Sequence, residues 1–121
     1  LYMFNNNFGT ARTRPGFDWS VIDGISTEFS SDTARSQYRK YLVDENAGTY
    51  SEVSSFDVPY SPYVSSAQEL DNGNILIDSG MKGLFGQYSS DGTLLSEFRM
   101  TLNTSYIYRV YSYDFQGFYF A

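Results

Sequence analysis

Side chains that could carry chemistry are few in this 121-residue sequence, which contains no histidine and no cysteine. The commonest general base and the thiolate nucleophile are therefore both missing from the chain. A planar guanidinium can instead bind the oxygens of a sulfate or phosphate group through paired hydrogen bonds. Arg12 and Arg14 stand close together in a stretch rich in Gly and Thr. They are either ligands of an anion or ordinary solvated cations of a loop.

The carboxylates show no spacing that is typical of metal or glycosidase chemistry. The pairs Asp44 with Glu45 and Asp91 with Glu97 lie at or near turns, where acidic side chains are common. Neither pair matches a calcium-binding loop or the paired acids of a glycosidase. We therefore predict no metal and no cofactor.

Charge and hydropathy exclude two classes of partner. The net charge is −6, from 14 acidic and 8 basic residues with no run of either sign. A nucleic-acid partner requires a clustered basic surface, so we predict no such partner. No stretch approaches the roughly 20 apolar residues of a membrane-spanning helix, and we predict no span.

Short apolar runs separated by turn residues predict an all-β fold, in agreement with an aromatic content of 19%. The clearest case is Ser65 to Met100, which predicts a four-stranded antiparallel meander. Its first hairpin carries Asn72-Gly73, a pair typical of a primed two-residue turn. Further strands are predicted at 1–4, 36–44, 49–58, 106–111 and 114–120. The intervening segment 8–35 is too long for an ordinary connection and predicts either a functional loop or an excursion with some structure of its own.

A repeat links the two halves of the chain. Two hairpins each place an acidic residue and a Gly-Thr pair between their strands, and the two glycines, Gly48 and Gly92, are 44 residues apart. A repeat of about 40 to 50 residues with up to four strands is typical of a β-propeller blade, and a sandwich of hairpins is the alternative. The propeller hypothesis gives a partial blade at 1–58 with the inserted loop 8–35, a complete blade at 59–101, and ring-closing strands at 102–121.

Several motifs resemble those of a known family. The string YSPYVSSAQELDNGNILIDSGMKGLFGQYSSDGTLLSEFRM, with YMFNNN before it and YIYRVYSYDF after it, resembles the C-terminal blades of the bacterial arylsulfotransferases. The segment Asn72 to Ile77 is similar to the recurring inner hairpin of that family. Tyr2 to Asn6 is similar to its Phe-Asp-Asn-Gly strand end, with Asn5 in place of the acid. The resemblance covers most of the chain.

The resemblance implies a six-bladed propeller that lies outside the cytoplasm of a bacterium. Its activity would be sulfate transfer from aryl sulfates to phenols through a sulfohistidine intermediate. In that family the histidine lies shortly before the Phe-Asp-Asn segment. The chain is therefore expected to be a C-terminal fragment of about two blades that starts after the nucleophile. Such a fragment would be inactive alone and would self-associate through exposed blade edges.

Candidate substrate contacts follow from the strand starts and linkers, which line the funnel of a propeller. Each has an alternative role: linker polarity for the serines, packing for the tyrosines and turn formation for the asparagines. The candidates are Asn5, Asn6, Arg12, Arg14, Tyr63, Ser65, Ser66, Tyr108 and Arg109. The alternative function is a non-catalytic extracellular propeller or sandwich that binds sugar or protein.

Overall fold

The computed structural model describes residues 1–101 and 106–114. Two antiparallel sheets form this part of the chain. The first sheet has the order β1 (Tyr2–Asn5), β2 (Arg35–Asp44), β3 (Thr49–Pro59). The second has the order β4 (Ser65–Glu69), β5 (Ile75–Ser79), β6 (Leu84–Tyr88), β7 (Leu94–Arg99). Two short 3-10 helices lie at Trp19–Val21 and Gly80–Lys82.

The all-β prediction and the four-stranded meander are confirmed, and the strands predicted up to residue 100 agree with the observed ones within about two residues at each end. The second sheet pairs consecutive strands throughout. No sheet in the described residues closes into a ring. The arrangement of blades and the division at residues 58 and 101 stay predictions.

The turn predicted at Asn72-Gly73 has a different geometry. Gly73 has φ +84° and donates its N–H to the carbonyl of Leu70 at 2.9 Å, whereas Asn72 is not among the residues with positive φ. Both kinds of primed two-residue turn need positive φ at the first central position, which would be Asn72 here. The prediction of a primed turn was therefore wrong, because only the glycine takes the left-handed conformation.

The core lies between the two sheets. Tyr38 and Phe56 of the first sheet stack with ring centroids 5.0 Å apart, and Phe56 stacks on Tyr88 of the second at 5.4 Å. Aromatic stacking adds to the free energy of area burial. The buried core residues are Tyr38, Val58, Ile75, Ile77 and Tyr88. Each sheet therefore covers one face of the other.

The long segment between β1 and β2 is ordered by contacts within itself and with Tyr60, the residue that follows β3. Phe8 bridges Ser26 in parallel, and the backbone N–H of Ser26 donates to the carbonyl of Asn7 at 2.9 Å. Farther along, the hydroxyl of the fully buried Tyr60 donates to the carbonyl of Glu28 at 2.7 Å. Both ends of the excursion are thus fixed beside the start of β2.

Residues 106–114, which we call the strap, contain no strand. The N–H and carbonyl of Val110 both bond to the Ser66 hydroxyl at 3.3 Å, and Ser112 bonds through its N–H and carbonyl to the Gln68 amide. The strand predicted at 106–111 is not observed, because the strap bonds to side chains of β4 rather than to a backbone ladder. Most of the strand predicted at 114–120 lies outside the described residues.

Candidate functional site at the linker end of the sheets

The linker between β3 and β4, residues 60–64, marks the end of the sheets where the candidate residues meet. The pairing of Ser65 with Ser79, and of Ser79 with Leu84, puts the start of β4, the end of β5 and the start of β6 at this end. In the first sheet the end of β1, the start of β2 and the end of β3 lie at one end in the same way. Antiparallel pairing therefore collects loops distant in sequence into one surface.

Asn6 joins this end of the first sheet to the linker and to β4. Its side-chain amide donates to the carbonyl of Ser61 and to the hydroxyl of Ser65, each at 2.7 Å. Its own carbonyl accepts from the Ser36 hydroxyl at 3.0 Å. Ser65 makes no other side-chain hydrogen bond among the described residues, so its O–H proton is available to a ligand.

Ser61 is the buried centre of the linker. Its hydroxyl donates to the carbonyl of Tyr63 at 2.7 Å and accepts from the N–H of Met81 at 3.2 Å. Its N–H donates to the hydroxyl of Ser36 at 2.9 Å, and both serines are fully buried. Ser79 adds a bond from its hydroxyl to the carbonyl of Pro59 at 2.9 Å. The sequence analysis missed these three serines, although a serine between Tyr60 and Pro62 was a possible signal.

The backbone on either side of this network is strained. Val64 has φ +50° and Asn7 has φ +54°. A β-branched residue rarely adopts positive φ, and such strain is characteristic of functional sites. Asn7 is held by a bond from its amide to the carbonyl of Arg35 at 2.9 Å. Val64 precedes Ser65, so its conformation sets the direction in which β4 begins.

Three aromatic rings lie beside the linker. The ring of Tyr63 meets Phe29 of the long loop at 5.9 Å and Tyr106 of the strap at 6.2 Å, both edge to face. All three side chains are exposed. They form a surface of aromatic edges and faces, the geometry that suits a planar aromatic ligand.

Ser66 does not join Ser65 at this surface. Successive residues of a strand point to opposite faces, and Ser66 lies on the side that carries the strap. Its cross-strand partner there is Asp78, which is fully buried with neither carboxylate oxygen hydrogen-bonded among the described residues. Burial raises the pKa of Asp78 to about 7. The sequence analysis missed Asp78, although an acid at the end of the apolar run Ile75 to Ile77 was a signal.

The remaining predicted site residues lie apart from the Asn6 and Ser65 pair. Arg14 lies 5.0 Å from the centroid of the Phe17 ring within the long loop. Arg109 stacks over two tyrosines of the strap, Tyr108 at 5.7 Å and Tyr111 at 5.2 Å. No guanidinium among the described residues therefore bonds to the linker network.

Two further predicted residues have local roles. The amide of Asn5 donates to the side-chain oxygen of Asn7 at 2.7 Å, which is the turn role considered for it. Arg12 is exposed in the long loop. No group of three or more potential metal ligands occurs within residues 1–101 and 106–114.

The chemistry of the linker end is that of binding. It offers a free hydroxyl donor at Ser65, a neighbouring amide at Asn6 and the aromatic edge of Tyr63. The hydroxyls of Ser36, Ser61 and Ser79 are buried and engaged with backbone groups, and none of the three is hydrogen-bonded to a base among the described residues. No helix in the described part of the chain has the length and apolar character needed to cross a membrane.

The fold and this surface define a class: an all-β protein of antiparallel meanders whose loops converge on a polar and aromatic binding end. Comparison with known families identifies it further. The family model described as Arylsulfotransferase (ASST) matches residues 1–114, so the chain belongs to the arylsulfotransferase family. Searches of curated proteins and of solved structures gave no significant match.

Proposed function

We propose that the chain forms part of an arylsulfotransferase that moves a sulfuryl group from an aryl sulfate to a phenol. Two observations support this proposal. The family match extends over residues 1–114, and the linker end carries both the Ser65 hydroxyl, held by Asn6, and, two residues earlier in the chain, the exposed ring of Tyr63. A sulfated arene has a charged oxygen-rich group and a planar ring, which match these two features.

The proposed reaction proceeds through a sulfohistidine. A histidine nitrogen forms a bond to sulfur as the bond from sulfur to the donor phenol oxygen breaks. The acceptor phenol oxygen then bonds to sulfur and releases the histidine. The 121 residues contain no histidine, so this nucleophile must come from outside them. We propose that the chain alone is inactive.

The proposed part of this chain in the reaction is to orient the sulfuryl group. The Ser65 hydroxyl donates to a sulfuryl oxygen, and Asn6 fixes that hydroxyl from the other side. Donors that are already oriented can stabilise developing charge without reorganisation. Tyr63, Phe29 and Tyr106 contact the aryl ring.

We also propose that the two sheets are neighbouring blades of a six-bladed ring outside the cytoplasm. Face-to-face packing of two antiparallel meanders joined by one linker supports this architecture. The proposed units are 1–58, 59–101 and 102–121. If the ring hypothesis holds, translation of the reading frame upstream of Leu1 will contain further repeats of 40 to 50 residues and a histidine shortly before the chain. A frame without that histidine would contradict the enzyme proposal.

Self-association of the isolated chain is a further part of the proposal. Edge strand β7 exposes Leu94, Leu95 and Phe98, and β3 exposes Tyr50 and Val53. Exposed apolar edge strands favour pairing between copies. Light scattering is expected to show dimers or larger species at micromolar concentration. A monodisperse monomer would contradict this expectation.

Binding of 4-nitrophenyl sulfate to the 121-residue chain tests the proposed site. We expect chemical shift changes in NMR spectra at Asn6, Tyr63 and Ser65, and no transfer of sulfate to phenol by mass spectrometry. Ser65→Ala should weaken binding about tenfold, as expected for one hydrogen bond to a charged group.

The matched control is Ser55→Ala, which changes an exposed hydroxyl bonded to Glu52 at 2.8 Å and should leave binding unchanged. Equal affinity of the Ser65 and Ser55 variants would refute the role of Ser65. Transfer of sulfate by the pure chain would refute the proposed dependence on an external histidine.

A further inference from the structure

Asp78 is in an unfavourable environment for a charged group. Its side chain is fully buried and both oxygens lack a hydrogen-bond partner among the described residues. A buried carboxylate without a partner is strongly destabilising when ionised, and it becomes tolerable when it carries a proton. The protonation state of Asp78 therefore affects the stability of the contacts that bury it.

The strap attaches to the sheet on both sides of Asp78. The N–H of Ile107 donates to the carbonyl of Gly80 at 3.1 Å, two residues after Asp78. Val110 bonds to the hydroxyl of Ser66, which is the cross-strand partner of Asp78. Cross-strand partners share a face of the sheet, so the strap crosses the face that carries Asp78.

The position of the strap requires a residue without a side chain at Gly80. A Cβ at Gly80 would lie 1.9 Å from the carbonyl oxygen of Ile107. The strap thus lies directly on the 3-10 helix that follows β5, and Asp78, two residues earlier, is fully buried, so the docked state gives an ionised carboxylate no access to water. Docking of the strap therefore keeps water away from Asp78, and hydration of Asp78 requires the strap to leave the sheet.

We propose that Asp78 makes docking of the strap dependent on pH: the strap packs on the second sheet when Asp78 is protonated and is released when Asp78 is ionised. This proposal goes beyond the proposed sulfate transfer and does not depend on it. The released segment contains Tyr106, whose ring packs on Tyr63 at the linker end. Release would therefore also remove one wall of the aromatic surface.

The direction of the effect follows from proton binding. Burial raises the pKa of Asp78 from 3.8 to about 7 in the docked state. Between these two values the docked state holds a proton that the released state has lost. Docking therefore weakens about tenfold for each pH unit as the pH rises. Below pH 3.8 and above about pH 7 docking no longer changes with pH, and above pH 7 the full cost of burying the ionised carboxylate remains.

Other charged groups near the strap do not replace Asp78 as the titrating group. The one cation of the strap, Arg109, stacks on Tyr108 and Tyr111. On β4 and β6 the neighbours on this face are Ser66, Gln68, Phe85 and Gln87, which carry no charge.

Two more elements carry charges close by. On β7, Glu97 and Arg99 lie in register with Gly86 and Leu84, on the opposite face from Phe98 and Asp78. At the far end of the strap, Asp114 lines a groove with Gln68 and Asp71, toward the hairpin rather than toward Gly80.

Hydrogen exchange of the strap amides tests the proposal. The amides of Ile107, Val110 and Ser112 each donate a hydrogen bond to the sheet. Their protection factors, corrected for the intrinsic exchange rate at each pH, are measured by NMR between pH 4.5 and 8. We expect a fall of about tenfold per pH unit up to about pH 7, followed by a plateau. A flat profile in the native chain would overturn the proposal.

The variant Asp78→Asn keeps the shape and removes the titration. Its strap amides should show pH-independent protection, higher than the native value at pH 7.5. Asp78→Leu removes the buried polar group as well and keeps the test valid if the amide impairs folding. The matched control Asp91→Asn changes an exposed turn carboxylate and should keep the native profile. An unchanged pH profile in both Asp78 variants would overturn the proposal.

Discussion

Replacing Ser61 by alanine tests whether the linker network joins the two sheets. The hydroxyl of this fully buried residue donates to the Tyr63 carbonyl at 2.7 Å and accepts from the Met81 N–H at 3.2 Å. Alanine fits the same space and leaves both backbone groups without this partner. The hydroxyl also makes a longer bond to the carbonyl of Val64 at 3.5 Å. The N–H of residue 61 keeps its bond to Ser36, so the change is confined to the bonds of the hydroxyl.

The magnitude follows from the number of groups that lose a partner. A buried polar group left unpaired costs about 1 to 3 kcal/mol, and partial exposure of Tyr63 and Met81 favours the lower end. We therefore expect the free energy of unfolding to fall by about 2 kcal/mol. For a domain of this size that corresponds to a decrease in Tm of about 8 °C.

Urea unfolding followed by far-UV circular dichroism measures the loss. Two serine variants serve as matched controls. Ser65→Ala removes one bond from Asn6, whose amide still donates to the Ser61 carbonyl, and should cost less than about 1 kcal/mol. Ser55→Ala changes an exposed hydroxyl and should cost close to zero. If Ser61→Ala unfolded at the same urea concentration as Ser55→Ala, the network would have no role in stability.

Three further predictions concern the core and the strap. Tyr38→Phe keeps a fully buried ring but loses its 2.7 Å bond to Glu69, so urea unfolding should show a loss of about 1 kcal/mol; no loss would contradict this. Gly80→Ala places a Cβ 1.9 Å from the Ile107 carbonyl oxygen and 2.1 Å from that of Val64, and should abolish amide protection in the strap. The pKa of Glu69 is lowered, so its contribution to stability is present above its ordinary value of 4.5 and is lost as the pH falls. The Tm of Glu69→Gln, measured by thermal unfolding, should therefore change less with pH in the acidic range than the Tm of the native chain.

Local pattern was sufficient to predict the strands and the family. The short apolar run Ile75 to Ile77 between turn residues predicts a strand, and Ile75 and Ile77 indeed lie in the core while Leu76 is only partly buried. The glycines at 48 and 92 close their hairpins with φ +66° and +90°, a conformation that glycine adopts at little cost. These features depend on neighbours within a few residues, so the sequence determines them directly.

The strand predicted at 106–111 is not observed, although its sequence has strand character. Alternation in YIYRVYSYDF is typical of a strand, but strand formation requires a backbone partner. The structure instead places this segment across the side chains of Ser66 and Gln68. Whether a residue run with strand character pairs in a sheet depends on which edge is available to it, and that is a tertiary property.

The candidate site was only partly visible in the sequence. Asn6 and Ser65 were both candidates, but their 2.7 Å contact joins residues 59 positions apart and follows from the packing of two sheets. Arg12 and Arg14 were equally good candidates by residue type, yet the fold leaves them on the long loop. Residue type therefore identified the candidate binding residues, and the packing of the strands determined which of them lie together.

Asp78 shows most clearly which properties follow from the sequence and which follow only from the tertiary structure. The sequence by itself determined a strand that ends in an acid, and nothing in a single strand distinguishes a solvated carboxylate from a buried one. Burial requires β4, β6 and the strap to come together around the same face. The tertiary structure alone decided that this carboxylate has no hydrogen-bond partner in the described part of the chain and a pKa raised to about 7 by burial, because solvation and pairing depend on atoms distant in the chain.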